Sequence, residues 1–398
     1  MRGAVLALCA ALAAVPVNAA VPATVAVAFD RSRIVPVLAE GEADRTTHRP
    51  VSADDPVRIA SISKLVTALG VMRLVDAGKL DLDRDVSHYL GWSLRHPAYP
   101  DRSITLRMLL SHQSGLLDGD DLYLIPLGET LQQRLADLRV WDPAHAPGSG
   151  WFHYTNLNLP VVASVIEQVT QQRFDVAMRD LVLAPLKLGA CFNWGAGCSA
   201  GAAQRAVVLY RANGAVARDD LRGTFPACPV FTGPDGRCDI WTYTLGSNGA
   251  LYSPQGGLRI AMRDLARLGQ MLARRANGFL SAGAYAALTR PVWRFNGRNG
   301  VGENGLADGF FCAYGLALHT IGSGAAGCRD DLFGDGRSRI GHAGDAYGLK
   351  SGLWLDPRTG RGLAFFTTAV ADDAPTGRSA FFAIEESVVE RAGRVPFR

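Results

Sequence analysis

Residues 60–78 read Ala60-Ser61-Ile62-Ser63-Lys64-Leu65-Val66-Thr67-Ala68-Leu69-Gly70-Val71-Met72-Arg73-Leu74-Val75-Asp76-Ala77-Gly78. Apolar side chains recur at helical spacing (Ile62, Leu65, Val66, Leu69, Met72, Leu74, Val75) and Gly78 supplies a terminator, so the stretch is predicted to be a helix with Ser61 at its entrance. Lys64 stands one turn deeper on the same face, where its amine reaches the serine hydroxyl. Working outward, residues 24–29 and 34–39 are short β-type runs joined by the turn-like Asp30-Arg31-Ser32-Arg33. At the other end of the chain, residues 339–342, 350–355 and 363–368 are strand candidates, and 378–391 reads as a closing helix. Between them come helix-like stretches at 105–111, 129–138 and 159–169, an amphipathic helix over 258–274, and a Gly-rich loop at 297–309. Strands at both ends with helices between them predict an α+β chain, one sheet interrupted by a mainly helical insertion. The expected division is a discontinuous sheet domain of residues 21–79 and 233–398 and a helical domain of residues 80–232.

With 48% hydrophobic and 20% charged residues over 398 positions, the composition is globular, neither disordered nor membrane-embedded. Only four of the 41 basic residues are lysines, and the arginines are scattered, so no nucleic-acid stripe forms and no nucleic-acid partner is expected. Residues 1–20 read as a signal peptide: Arg2, then an uncharged run over 4–17, then small residues at Ala19 and Ala20. That run is shorter than the ~20 residues of a membrane span. Leu8-Cys9 lies too early to be a lipidation site. A secreted or periplasmic protein without an integral span is therefore expected. Beyond the signal six cysteines remain, and their spacing pairs neighbours: Cys191 with Cys198, Cys228 with Cys238, Cys312 with Cys328. No CxxC or His/Cys cluster has ligand spacing, so no metal is expected, and the family resemblance described below implies no organic cofactor either.

Three separated motifs carry chemistry. In Ser61-Ile62-Ser63-Lys64 a lysine can take the proton of a serine that is otherwise a poor nucleophile, and the helix entrance offers an unpaired N–H to an oxyanion. The plainer alternative is a helix-capping serine followed by a surface lysine. Ser63 is a rival nucleophile without a base at this spacing. In Tyr154-Thr155-Asn156 a phenol can relay a proton and an amide can bind a carbonyl, although a loop tyrosine and a capping asparagine would read the same. In His342-Ala343-Gly344, on a predicted strand, the glycine leaves room for a substrate backbone along the strand edge.

Taken in order, SxxK, YxN and HxG resemble the serine β-lactamase-like hydrolases and penicillin-binding proteins, in particular the branch of class C β-lactamases, esterases and D-aminopeptidases. The 104–116 segment is similar to that family's LLxHxSGL stretch, and Gly256-Gly257-Leu258 with Asp264-Leu265-Ala266 to its later GGL stretch. The resemblance covers about residues 25–390 and implies the β-lactamase/transpeptidase-like fold, an antiparallel sheet flanked by helices. It also implies an acylated nucleophile in Ser61, a base in Lys64, a proton relay in Tyr154, a substrate and lysine partner in Asn156, and an oxyanion hole from the backbone N–H groups of Ser61 and Asp345. His112, Ser114 and Gly115 would shape the structure. His342 and Ala343 depart from the usual lysine and small hydroxyl residue, which weakens recognition of a substrate carboxylate and points away from efficient β-lactamase activity. His342 and Gly344 remain substrate-binding candidates. The expectation is an exported serine hydrolase of small-molecule or peptide substrates that cleaves an ester, amide or β-lactam bond. A catalytically silent cell-wall peptide-binding protein of the same fold is the alternative.

Overall fold

The eight-stranded sheet comprises β1 (Thr24–Phe29), β2 (Ile34–Glu40), β3 (Trp293–Arg294), β4 (Ala313–Tyr314), β5 (His319–Ile321), β6 (Arg339–Ala346), β7 (Leu349–Leu355) and β8 (Gly362–Thr367), in the spatial order β3-β4-β5-β6-β7-β8-β1-β2. Every neighbouring pair is antiparallel. The computed structural model describes residues 22–302 and 305–395, so the signal segment expected at 1–20 lies outside it.

Strand periodicity places the layers. In β1, Val25, Val27 and Phe29 face the larger core, which also holds Leu65, Leu69 and Met72 of α1 (Ile62–Asp76). Helix α2 (Asn158–Thr170) adds Val162, Val165 and Ile166 to that core, and α3 (Met262–Ala273) adds Leu265 and Leu268. Ala26 points to the opposite face, where Trp354, Leu363 and Phe365 meet Val388 and Val389 of α4 (Ala383–Arg394). A strand with helices on both sides buries successive residues alternately, so its sequence is apolar throughout. Gly269 lets α3 ride against β1: a Cβ there would lie 2.3 Å from Phe29 Cζ.

Two of the boundaries that differ from the sequence reading have a visible cause. Leu258–Ile260 is a strand between Val57–Arg58 and Cys191–Phe192, and only from Met262 does the chain turn helical. Arg259 is held extended there, its guanidinium taken by Asp219 at 2.9 and 3.1 Å. The closing helix begins at Ala383, because Thr376 bridges to Phe382 and Ser379 is tied back to Glu386 through its amide and hydroxyl. Disulfides join Cys191–Cys198, Cys228–Cys238 and Cys312–Cys328. No described helix is long and apolar enough to cross a membrane.

Candidate active site

One residue before Ser61 the backbone enters the left-handed region, Ala60 at φ 48°. That costs an L-residue about 1 kcal/mol, and it swings the chain from the strand Val57–Arg58 into α1 with Ser61 at the N-cap position. The Ser61 side chain makes no capping bond. Lys64 Nζ instead donates to Ser61 Oγ at 2.9 Å. The same ammonium donates to Asn156 Oδ1 at 2.7 Å and to the Gln255 carbonyl at 3.1 Å, and Lys64 has no solvent exposure. Ser63 is occupied structurally: buried, it donates to the Ala60 carbonyl at 2.6 Å and accepts from Leu258 N–H at 3.0 Å.

Asn156 is oriented from both ends. Its oxygen faces Lys64, and Nδ2 donates to Asp118 Oδ2 at 2.8 Å, while Asp118 Oδ1 accepts from Leu157 N–H at 2.9 Å. Beneath this lies a clasp of three residues. His112 Nδ1 accepts from Thr155 N–H at 3.0 Å and from Asn158 Nδ2 at 3.1 Å, so its proton sits on Nε2. Burial, then the nearby Lys64 charge, hold that imidazole well below its ordinary pKa. Ser114 Oγ donates to Asn158 Oδ1 at 2.6 Å. The His112 ring stacks on Tyr154 with centroids 4.4 Å apart, fixing the phenol whose ring centroid lies 4.8 Å from Lys64 Nζ.

Strand β6 closes the other side. A Cβ on Gly344 would fall 2.3 Å from the Ile59 carbonyl oxygen and 2.4 Å from Ser351 Oγ. The backbone that approaches this glycine is therefore the turn leading to Ser61 itself, where the sequence suggested a substrate. β5 pairs with β6 at residues 339–341, so from His342 onward that edge has no strand beside it among the described residues. Ser61, Tyr154, His342, Gly344 and Asp345 line one cavity of about 560 Å³, walled also by Phe311. Within it the Ser61 backbone N–H has no partner among the described residues. His342 donates from Nδ1 to its neighbour Ala343's carbonyl at 2.6 Å, so Nε2 accepts from Tyr314 O–H at 2.7 Å. Burial and the Lys64 charge keep this histidine neutral.

Besides Tyr314, three members of this arrangement escaped sequence reading. Asp118 lies two residues past the 104–116 segment, an offset that could have marked it. Gln255 contributes a backbone carbonyl, which leaves no side-chain signal. Lys350, read only as part of a strand, is buried on the cavity wall, where its ammonium bonds Asp345 and lies 3.7 Å from the Phe382 ring centroid.

A family model described as Beta-lactamase matches residues 10–384. The chain belongs to the Beta-lactamase family. Among curated proteins of similar sequence, esterase EstB of Burkholderia gladioli is 35% identical over 187 residues, 42% of this chain and 46% of that protein. Penicillin-binding protein 4 of Amycolatopsis lactamdurans is 32% identical over 151 residues, 38% of this chain and 39% of that protein. The matched stretches thus span less than half the length of either relative. In fold, this Beta-lactamase family chain is similar to D-amino acid amidase from Ochrobactrum anthropi SV3, solved with L-phenylalanine amide: TM-score 0.64 at 17% identity, covering 94% of this chain and 92% of that one. Folds of this kind support an α+β chain with strands from both termini in one sheet.

Proposed function

We propose that the protein is an exported serine hydrolase that cleaves an ester or amide through an acyl-enzyme on Ser61. The observation carrying this is the 2.9 Å contact between Lys64 Nζ and a serine hydroxyl that caps nothing. In the proposed cycle the deprotonated Lys64 amine is the base: Ser61 Oγ attacks the substrate carbonyl and passes its proton to that Nζ, which becomes the ammonium. The backbone N–H groups of Ser61 and Asp345 hold the oxyanion. Tyr154 hands a proton to the leaving group, and Tyr154 with Lys64 then activates the water that frees Ser61. No metal or organic cofactor enters the scheme. Export is supported by three disulfides and by the signal-like residues 1–20. Two features favour esters and amides over β-lactams. Both His342 nitrogens are spent inside the protein, and the Lys350 ammonium is held by Asp345, so neither stands ready for a lactam carboxylate.

Intact mass spectrometry tests this, with the mature protein mixed in turn with p-nitrophenyl butyrate and a penicillin. Wild type should release p-nitrophenol and carry an acyl adduct that maps to Ser61, and Ser61→Ala should lose both adduct and turnover, by about 10³-fold or more. Full turnover by Ser61→Ala would sink the assignment. A silent binding protein would stay unlabelled throughout.

A further inference from the structure

A second cavity, of about 530 Å³, counts Gln255 among its lining residues, and the same residue gives its backbone carbonyl to Lys64 Nζ. Gln255 is 5% exposed, and its Oε1 has no hydrogen-bond partner among the described residues. Arg58 lines the same space three residues before Ser61, so their Cα atoms are at most ~11 Å apart. Its guanidinium and the Ala60 backbone border one glycine, since a Cβ on Gly256 would meet Arg58 Nη2 at 3.6 Å and Ala60 Cα at 3.9 Å.

The charges around Arg58 are unequal. Asp219 is taken by Arg259, which it meets through both oxygens, and Asp220 by Arg222. Arg218 donates to Tyr347 O–H at 3.2 Å. Arg58 has no carboxylate partner among the described residues: Nη2 reaches Ser253 Oγ at 3.4 Å, Nε has no partner, and the group rests 5.1 Å from the Tyr347 ring centroid. Burial lowers its pKa to about 10. Arg58 is half-buried, and Asp219, bonded to Arg259, reaches it only through space; a partly buried cation without a direct anionic partner is costly, and it borders a cavity whose other walls include Leu124, Phe225 and Val230.

We infer that this cavity receives the acyl part of the substrate and that Arg58 binds a carboxylate at its far end, so the preferred substrates are half-esters or half-amides of dicarboxylic acids. This rests on the Ser61 hydrolase reading. Tyr154, which serves the leaving group, lines the other cavity together with Ser61, and that leaves the Arg58 side for the acyl chain. Tyr347, whose phenol the nearby Arg58, Arg218 and Arg259 charges make more acidic than usual, borders the same space, and the Gln255 amide adds a neutral contact. Water adds across the acyl–oxygen bond of the half-ester or the acyl–nitrogen bond of the half-amide, giving the diacid and the alcohol or amine.

The test compares kcat/KM for mono-p-nitrophenyl glutarate and for p-nitrophenyl valerate, as a ratio within each variant, so that a general loss of activity cancels. Wild type should favour the acidic ester by about tenfold or more, Arg58→Gln should bring the ratio to about one, and Arg58→Lys should keep part of it. If Arg58→Gln fails to fold, Gln255→Leu should lower the ratio severalfold. Free glutarate should compete with the glutarate ester. A ratio of one or less in wild type, or a ratio unchanged by Arg58→Gln, overturns the inference while the hydrolase reading stands. Stimulation of valerate hydrolysis by free glutarate, or an Arg58-dependent preference for 4-carboxyphenyl valerate over phenyl valerate, overturns the acyl assignment. Hydrolysis of neither ester overturns both readings.

Discussion

Asn156 shows how much of this site depends on one side chain being held from both ends. An amide can turn its nitrogen or its oxygen toward a neighbour, and the Asp118 carboxylate, by taking Nδ2, helps hold the oxygen toward Lys64. Asp118→Ala should therefore lower kcat/KM about 10–100-fold, the worth of a hydrogen bond to a charged group, with the loss mainly in kcat. Asp118→Asn should recover part of it, because its one carbonyl can serve Asn156 or Leu157 N–H in place of both. Steady-state kinetics on a p-nitrophenyl ester decide, and a change confined to KM would refute the positioning role. The Ser61 and Lys64 contact was legible because helix geometry fixes what lies three residues apart. The Asp118, Gln255 and Tyr314 contacts were not, since each joins residues brought together only by the folded chain. The His342 tautomer, too, is set by Tyr314 and the Ala343 carbonyl, which no local pattern announces.

At the scale of elements, the site is the place where the turn before α1 lies on β6, and Gly344 is the point of contact. A methyl group there would overlap the Ile59 carbonyl, backbone that cannot swing aside as a side chain tip could. Gly344→Ala should cost about 1–3 kcal/mol of stability through overpacking. By pushing the Ser61 turn off the strand it should also cost activity by about 100-fold. Urea melts with parallel ester kinetics check both, and a variant of normal activity would show that the turn tolerates displacement. Elements with a pure period were readable: β1, β7 and β8 from their apolar runs, α1 and α2 from helical spacing. The 258–274 window failed because its apolar residues suit a helix throughout, whereas Arg259 is drawn into an extended segment by Asp219, 40 residues away. Ala282–Thr289 is helical without having been recognised, its run of alanines offering no amphipathic contrast.

For the whole molecule, two sets of buried acids and bases oppose each other. His96, His112, His153, His319 and His342 are held below the ordinary histidine value of 6.5, chiefly by burial. The unfolded chain therefore binds more protons below that pH, and stability falls as the solution is acidified. Glu167 and Glu385 are raised by burial from 4.5 to about 7 and about 8, so the folded chain holds their protons longer and stability is lost as pH rises through those values. The melting temperature should climb from pH 5 to a maximum near about 7 and decline toward about 9. Glu385→Gln should flatten the alkaline decline in calorimetric scans, and a decline of unchanged slope would show that this carboxyl ionises freely in the fold.

The order of strands in the sheet sets a timetable as well as a shape. β1 lies between β2 and β8, and the hydroxyls of Thr24 and Thr367, 343 residues apart, meet at 2.9 Å across that seam. A ribosome that has finished nine-tenths of the chain has still not made the strand on which the first one leans. Until then the hairpin of β1 and β2 is a two-stranded ribbon, marginal by itself in water. A chain that cannot close early stays threadable, which suits the export proposed above: late closure of the sheet would keep the chain pliable while it passes a narrow pore.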